Sequence, residues 1–181
     1  IRNVYYDKFV DAFDMTNAEV GFLMTAYAIG CLILYIPGGI LADKFSTKKM
    51  LVLSLFGTGV LGLVMAFSMN YVTALIAFFL FAVTTSFVFW AALNKGLRII
   101  GGKEDSGSTY GWYYALGSVI SLVCGFGFWA LYASTENSHD AMFRTILAMS
   151  VAVMVSGVLV QITFREDAAA LSQASEEDKF R

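Results

Sequence analysis

Charged residues are scarce in this 181-residue sequence: Asp, Glu, Lys and Arg make up 14% of it, whereas 58% is hydrophobic. So few charges cannot cover the surface of an ordinary soluble domain, and so much apolar sequence excludes a disordered chain. The net charge of -2, without a basic stripe, also argues against a nucleic-acid binder. The composition therefore predicts an integral membrane protein.

Residues that bind metals or carry out acid-base catalysis are equally rare. The sequence contains one histidine, His139, and two cysteines, Cys31 and Cys124, which lie far apart in apolar runs. They form no metal motif, and we expect both cysteines to be small buried apolar residues. An integral-membrane enzyme would need a cluster of His, Asp or Glu near the interface. The sequence therefore predicts no catalytic residues, no metal site and no cofactor.

Long stretches without any charge indicate where the chain crosses a membrane. Four such runs cover residues 20–42, 50–94, 106–135 and 145–164. Because a bilayer core of about 30 Å takes roughly 20 helical residues, the longest run supplies two spans and each of the others supplies one. The prediction is an all-α integral membrane fold with five transmembrane helices, the first from about residue 20 to Pro37–Gly39 and the others at about 49–68, 71–94, 109–132 and 143–164. The only proline, Pro37, is expected to bend the first of them, which should end near Pro37–Gly39.

The two ends of the sequence are more polar than this centre. Residues 1–19 combine six charged residues with apolar residues at spacings of three and four. This pattern indicates the water-exposed end of a first helix whose membrane-spanning part is missing. Thr16 or Asn17 is expected to cap the first full span, with Glu19 in its first turn. Residues 165–181 are charge-dense and are expected to begin a linker. The predicted division is thus an outer segment at 1–19, which ends the missing first helix, a five-helix transmembrane bundle at 20–164, and the start of a cytoplasmic linker at 165–181.

The basic residues predict an orientation. Nine Lys and Arg residues fall in one set of predicted loops and three in the other. Loops rich in Lys and Arg face the cytoplasm. We therefore expect a multi-pass protein of the cell (inner) membrane whose chain starts outside, crosses five times and ends in the cytoplasm.

The loop at residues 39–49, with the sequence GILADKFSTKK, carries a recognisable pattern. It resembles the signature loop between the second and third helices of the major facilitator superfamily, G-x-L-A-D-[RK]-x-G-[RK]-[RK]. Ser46 stands where glycine is usual, and Thr47 stands where a basic residue is usual. The resemblance implies that the chain holds helices two to six of twelve, in a six-helix N-terminal half whose first helix is missing.

A conformational latch is the role that the resemblance implies for this loop. A carboxylate at the cytoplasmic end of a helix can pair with a basic side chain or with the positive N-terminus of a neighbouring helix. Such contacts bias one conformation without touching the substrate. The predicted latch residues are Gly39, Asp43, Lys44, Lys48 and Lys49, where Gly39 allows close helix approach. For Lys48 and Lys49, simple placement of positive charge on the cytoplasmic side is an equally good interpretation.

Candidate cavity residues also follow from the resemblance, because the first and fourth helices line the central cavity in that superfamily. The predicted span 71–94 is the fourth helix. Within it, Ser86, Trp90 and Asn94 are spaced by four and are expected to share one face. Tyr113, Tyr114 and Ser118 of the next span are further lining candidates. An indole beside an amide and a hydroxyl suits a sugar or an organic acid. Helix packing by the same small polar residues is the alternative.

The sequence therefore favours a secondary active transporter, of which this chain is a fragment, that moves a small polar organic solute by alternating access. Its expected partners are the small-molecule substrate, the lipid bilayer, the missing first helix and the C-terminal six-helix half. The alternative is a structural or assembly membrane protein that transports nothing. That alternative explains the hydrophobicity but leaves the pattern of residues 39–49 unexplained.

Overall fold

The computed structural model describes residues 2–101, 106–135 and 137–164, and these form seven α-helices and one π-helical turn. The helices are α1 (Arg2–Ala12), α2 (Asn17–Lys44), α3 (Thr47–Phe67), α4 (Tyr71–Ala82), α5 (Ala91–Gly101), α6 (Ser106–Ala133) and α7 (Ser138–Thr163). The π turn, Val83–Trp90, joins α4 and α5 into one long helix. Five helical stretches are long and apolar enough to cross a bilayer, as the sequence predicted.

Polar residues begin the spans because the first backbone N–H groups of a helix need acceptors. Ser46, Asn70 and Asn137 cap α3, α4 and α7 with their side-chain oxygens. At α2, the Thr16 hydroxyl accepts from the Glu19 N–H at 3.3 Å, and Glu19 accepts from the Thr16 N–H at 2.7 Å. This reciprocal pair is a capping box. The predicted start of the first span is thus confirmed.

The apolar span ends at Ile40, one residue beyond the predicted Pro37–Gly39, but the helix itself extends further. Helix α2 continues through Pro37 and both following glycines to Lys44. Proline removes one backbone donor but does not force a helix to stop inside a membrane, where neighbouring helices can satisfy the freed group. The helix ends where the chain becomes polar, just before the Ser46 cap of α3.

Two buried clusters hold the helices together at opposite ends. The larger is built around Phe9, Leu23, Ala74 and Met142, and it joins α1 and α2 to α3, α4 and α7 at the end that contains Asn70. The smaller consists of Met50, Leu51, Val88 and Ala92, at the end that contains Ser46. We call these the Asn70 end and the Ser46 end. The closest pairing in the bundle is between α3 and α7, and the π turn packs against α2 and α3.

Candidate functional site

The most polar part of the membrane-spanning interior is the π turn. The hydroxyls of Thr84 and Thr85 both donate to the carbonyl oxygen of Phe81, at 3.3 and 2.6 Å. Threonine side chains that bond to the preceding turn compete with the helical backbone and often bend it. Two adjacent threonines that share one carbonyl therefore mark the point at which α4 widens into a π turn.

Hydroxyls from two other helices meet these threonines. Tyr27 of α2 lies 3.1 Å from the Thr85 hydroxyl oxygen. From α3, Thr58 donates to the Thr84 hydroxyl at 2.9 Å, and Ser54 donates to the Thr84 carbonyl at 2.8 Å. We call these five residues, Tyr27, Ser54, Thr58, Thr84 and Thr85, the hydroxyl clamp. Together they link α2 and α3 to the centre of the fourth span.

A glycine brings the backbones of α2 and the π turn into contact. A Cβ atom on Gly38 would lie 2.6 Å from the carbonyl oxygen of Phe87, so only glycine fits there. The close approach had been predicted at Gly39, where a Cβ would meet nothing within 4 Å. Neighbouring positions on a helix point about 100° apart, so Gly38 faces the π turn within this half, and close helix approach at Gly39 stays a prediction.

The candidate cavity residues of the fourth span do not share one environment. Ser86 is buried, with 7% of its surface exposed. Trp90 is 36% exposed, and Asn94 is half-buried. The sequence prediction placed all three on one face at α-helical spacing. The difference in exposure comes from which helices pack against each residue in this half, and a common cavity face for the three stays a prediction.

The candidates on α6 are more open. Tyr113 is half-buried, whereas Tyr114 and Ser118 are exposed, and Ser118 donates to the Tyr114 carbonyl of its own helix at 2.7 Å. At the start of α6, the Tyr110 hydroxyl donates to the Asn94 carbonyl at 3.2 Å. This contact brings Asn94 next to the first turns of α6. The candidates of the two spans can therefore contribute to one surface at the Ser46 end.

The loop between α2 and α3 is fastened to the end of the fourth span. The Lys95 ammonium donates to the Phe45 carbonyl at 3.4 Å, at the C-terminus of α2, where a positive charge is favourable. Thr47 is fully buried, and a Cβ on Gly96 would lie 3.3 Å from its methyl group. Thr47 thus serves as a packing residue at the position where the superfamily usually has a basic one.

Ser46 also fits its position without glycine. Its backbone is extended (φ -61°, ψ 125°), and its hydroxyl accepts from the Lys49 N–H at 3.3 Å. No left-handed conformation is needed, so a serine cap replaces the glycine turn. Among the predicted latch residues, Lys44 and Lys49 are exposed and Lys48 is half-buried. The Asp43 side chain lies outside the described part of the structure.

A pocket of about 170 Å³ lies elsewhere, between α1, α3, α4 and α7. Its lining is mostly apolar and includes Phe9, Met65, Phe78 and Ile146. It contains none of the predicted cavity residues. Its lining hydroxyls, those of Thr58 and Ser150, already donate to Thr84 and to a helical carbonyl. This pocket is therefore poorly suited to a polar solute.

Comparison with known proteins gives relatives from Escherichia coli (strain K12). The chain is 29% identical over 180 residues to the inner membrane protein YqcE, covering 99% of this chain and 42% of YqcE. It is 22% identical over 160 residues to the inner membrane protein YihN, covering 88% and 38%. It is 29% identical over 133 residues to the L-fucose-proton symporter, covering 69% and 30%. The chain therefore spans less than half the length of each of these relatives.

The family comparison agrees with the pattern at residues 39–49 and with the five apolar helices. Residues 3–181 match the family described as the Major Facilitator Superfamily. The match takes in nearly the whole chain and all of the described helices. The protein therefore belongs to the major facilitator superfamily.

Proposed function

We propose that the complete protein is a secondary active transporter that moves a small polar organic solute across the inner membrane by alternating access. The observation that carries this proposal is the family match over residues 3–181. This chain would supply part of the N-terminal half, with the bundle at 20–164 between an outer segment at 1–19 and a linker that begins at 165. A first helix and a C-terminal six-helix half would complete the cavity.

The proposed solute is a sugar or an organic acid. Trp90 and Asn94 lie at the exposed side of the fourth span, and Tyr114 and Ser118 lie on the open surface of α6. An indole or phenol ring can stack on a sugar ring while amides and hydroxyls satisfy its polar groups. The relative named as an L-fucose-proton symporter supports a sugar as the first class to test.

Coupling to protons would use residues outside the spans seen here. No Asp or Glu falls within the four charge-free runs, and His139 lies in the first turn of α7, outside them. A titrating group buried in a membrane is the usual proton carrier. In this proposal it is supplied by the first helix or by the C-terminal half.

The proposed latch consists of Asp43, Lys44, Lys48 and Lys49, with Gly39 beside them. The loop that carries them is fixed by the Ser46 cap and by the Lys95 contact with Phe45. A rigid loop can present charges to a second moving half and so favour one of two states. For Lys48 and Lys49, the alternative is that they only anchor the cytoplasmic side of the bundle.

The proposed orientation places the Ser46 end in the cytoplasm and the Asn70 end outside. The Ser46 end carries Lys44, Lys48, Lys49 and Lys95. Lys and Arg are enriched in cytoplasmic loops. Helices α2 and α7 would then leave the outer surface and end on the cytoplasmic side, as would the chain itself.

Uptake into proteoliposomes that contain the complete protein tests the function. Radiolabelled sugars and organic acids are screened with and without an imposed proton gradient, and Asp43→Asn is compared with Asp140→Asn. Asp140 is an exposed acid at the Asn70 end and serves as the matched control. We expect solute uptake in the wild type, loss of uptake in Asp43→Asn and little change in the control.

Two other outcomes have clear meanings. If Asp43→Asn leaves uptake unaffected, the protein is a transporter but the proposed latch role of Asp43 is wrong. Absence of uptake for every solute tested, in a protein that remains folded, favours the alternative function, a structural or assembly protein of the membrane.

A further inference from the structure

The π turn is an unusual way to build the middle of a membrane span. A π turn contains one residue more than the α-helical segment of the same reach, and such turns occur often at functional sites. The extra residue determines how α5, which follows the π turn, is rotated about the helix axis relative to α4. Removing the π turn while keeping the sequence would rotate α5 by about 100° and move it by about 1.5 Å relative to α4.

The helices before and after the π turn, α4 and α5, are not packed equally firmly against the rest of the bundle. On the α4 side, Ala74, Ala77 and Ala82 are at most 2% exposed, and the first two belong to the larger buried cluster. On the α5 side, Ala92, Lys95 and Leu97 are also at most 9% exposed, but α5 packs less extensively than α4 against α2 and α3. If the turn changes its register, the α5 side is therefore the one that moves.

The hydroxyl clamp supplies what keeps the turn in its π form. The Thr85 hydroxyl has a single proton, which it donates to Phe81 at 2.6 Å, so Tyr27 is the donor in the bond between Tyr27 and Thr85. Likewise Thr58 donates to Thr84, and Ser54 donates to the Thr84 carbonyl. Three hydrogen bonds from α2 and α3 thus converge on the two residues at the start of the turn.

We infer that the π turn Val83–Trp90 is a one-residue register switch that the hydroxyl clamp holds in its π form. When the clamp opens, the segment returns to an α-helix, and Trp90, Asn94 and Lys95 rotate together. That rotation removes Lys95 from Phe45 and Gly96 from Thr47. The contacts of α2 and α3 at the clamp therefore control which side chains the fourth span presents at the Ser46 end.

Only the use of this switch in transport rests on the proposed function. The switch itself concerns the register of one helix, which can be measured without any solute. A disulfide across a contact that depends on the register provides the measurement. Gly96 and Thr47 are suitable, because a Cβ on Gly96 lies 3.3 Å from the Thr47 methyl group.

The experiment uses the complete protein in membrane vesicles, with Cys31→Ala, Cys124→Ala and replacement of any cysteine in the rest of the protein, so that no native thiol remains. Thr47→Cys/Gly96→Cys is expected to form a disulfide on mild oxidation. Adding Thr84→Val/Thr85→Val removes the two hydroxyls of the π turn at nearly constant volume, and with them the bonds to Tyr27 and Thr58, while Ser54 can still donate to the Thr84 carbonyl. The disulfide yield should then fall by about fivefold, as a shift of population requires when interhelical hydrogen bonds are lost.

A second disulfide controls for folding. Gly62→Cys/Ser150→Cys joins α3 to α7, where a Cβ on Gly62 would lie 3.2 Å from the Ser150 Cβ. This pair does not involve the fourth span, so its yield should not change in the valine variant. If the control yield falls as well, Tyr27→Phe replaces the double valine variant, since it removes one clamp bond and no carbon atoms.

A deletion variant tests whether the disulfide yield falls because the helical register of the fourth span has changed. Deleting Phe89 removes the extra residue, so the segment can be α-helical while Gly96 keeps its place beside Thr47. In the valine background this deletion should restore the Thr47–Gly96 disulfide. Deletion of Ile76 from the regular helix α4 is the matched control and should not restore it. An unchanged yield in the valine variant, or failure of the Phe89 deletion to rescue it, would overturn the switch.

Discussion

Helices α3 and α6 are both charge-free across the membrane and rich in glycine, yet the structure uses their glycines in opposite ways. In α3, a Cβ on Gly57, Gly59 or Gly62 would meet a side chain of α7 or of the π turn at about 3 Å or less. In α6, a Cβ on Gly111, Gly117 or Gly127 would meet nothing within 4 Å. No described residue from 107 to 133 is buried.

This difference between the glycines shows that α3 is packed against other helices of this chain, whereas the glycine positions of α6 are open. Small residues let helix backbones approach closely when a partner is present. For α3 the partners are α7 and the fourth span. For α6 we propose that they are the first helix and the C-terminal half of the transporter, so that the open face of α6 contributes to the cavity between the halves.

The strongest test of this contrast fills the tightest contact of α3. Gly62→Leu would place a side chain where Ser150 of α7 already lies. Overpacking a tight core typically costs about 1–3 kcal/mol, and the Ser150 side chain in the way is short and already bonded to the Ile146 carbonyl. We expect the complete protein to lose its sharp thermal transition and its single peak in size-exclusion chromatography. A well-folded Gly62→Leu protein would show that α3 and α7 are packed loosely.

A second test compares two neighbouring glycines of α2. Gly38→Ala adds a methyl group against the Phe87 backbone, whereas Gly39→Ala adds one to open space. Because backbone cannot yield as a side chain can, we expect Gly38→Ala to lower stability by about 2 kcal/mol. Gly39→Ala should be neutral or slightly stabilising, since alanine favours the helix. Equal melting temperatures for the two variants would contradict the close approach at Gly38.

A third test compares one hydroxyl from each of the two helices. Ser54 of α3 donates across the bundle to Thr84, while Ser118 of α6 donates to its own helix. An interhelical hydrogen bond in a membrane protein contributes on average about 0.6 kcal/mol. Ser54→Ala should therefore lower the melting temperature slightly, and Ser118→Ala should leave it unchanged. The reverse order would show that α6 makes stabilising contacts through Ser118.

The smallest expected effect on stability comes from filling an open glycine position of α6, which tests whether that face is free within this half. Gly117→Leu adds a side chain to open surface, so the stability of this half should change by less than about 0.5 kcal/mol. In the complete protein the same change is expected to reduce solute uptake, because α6 then faces another helix. Normal uptake by Gly117→Leu would indicate that this side of α6 faces lipid.

Much of the fold was predictable because the membrane imposes it. Charge-free runs gave the number of spans, and Thr16 with Glu19 marked the start of α2. Helix α2 extends past the predicted end of its span at Pro37–Gly39 to Lys44, because Pro37 lies within the helix and the apolar sequence continues to Ala42. In a membrane, hydrophobicity outweighs the loss of a single backbone donor.

The candidate site was less predictable, because it depends on contacts between distant parts of the chain. Spacing predicted that Ser86, Trp90 and Asn94 share one face, but it could not predict that neighbouring helices bury Ser86 while Trp90 stays exposed. The adjacent threonines at 84 and 85 were the signal for a break, but their partners, Tyr27, Ser54 and Thr58, lie on other helices. The choice between Gly38 and Gly39 likewise depends on the Phe87 backbone.

Labelling from each side of the membrane tests the central claim, alternating access, without knowledge of the solute. Trp90→Cys is placed in the complete protein with Cys31→Ala and Cys124→Ala, and a membrane-impermeant maleimide is added to sealed vesicles of either orientation. Trp90 is exposed in this half, so it should face the cavity between the halves. The account predicts that the maleimide reaches residue 90 from both sides. Labelling from one side only, at every time and temperature tested, would contradict it.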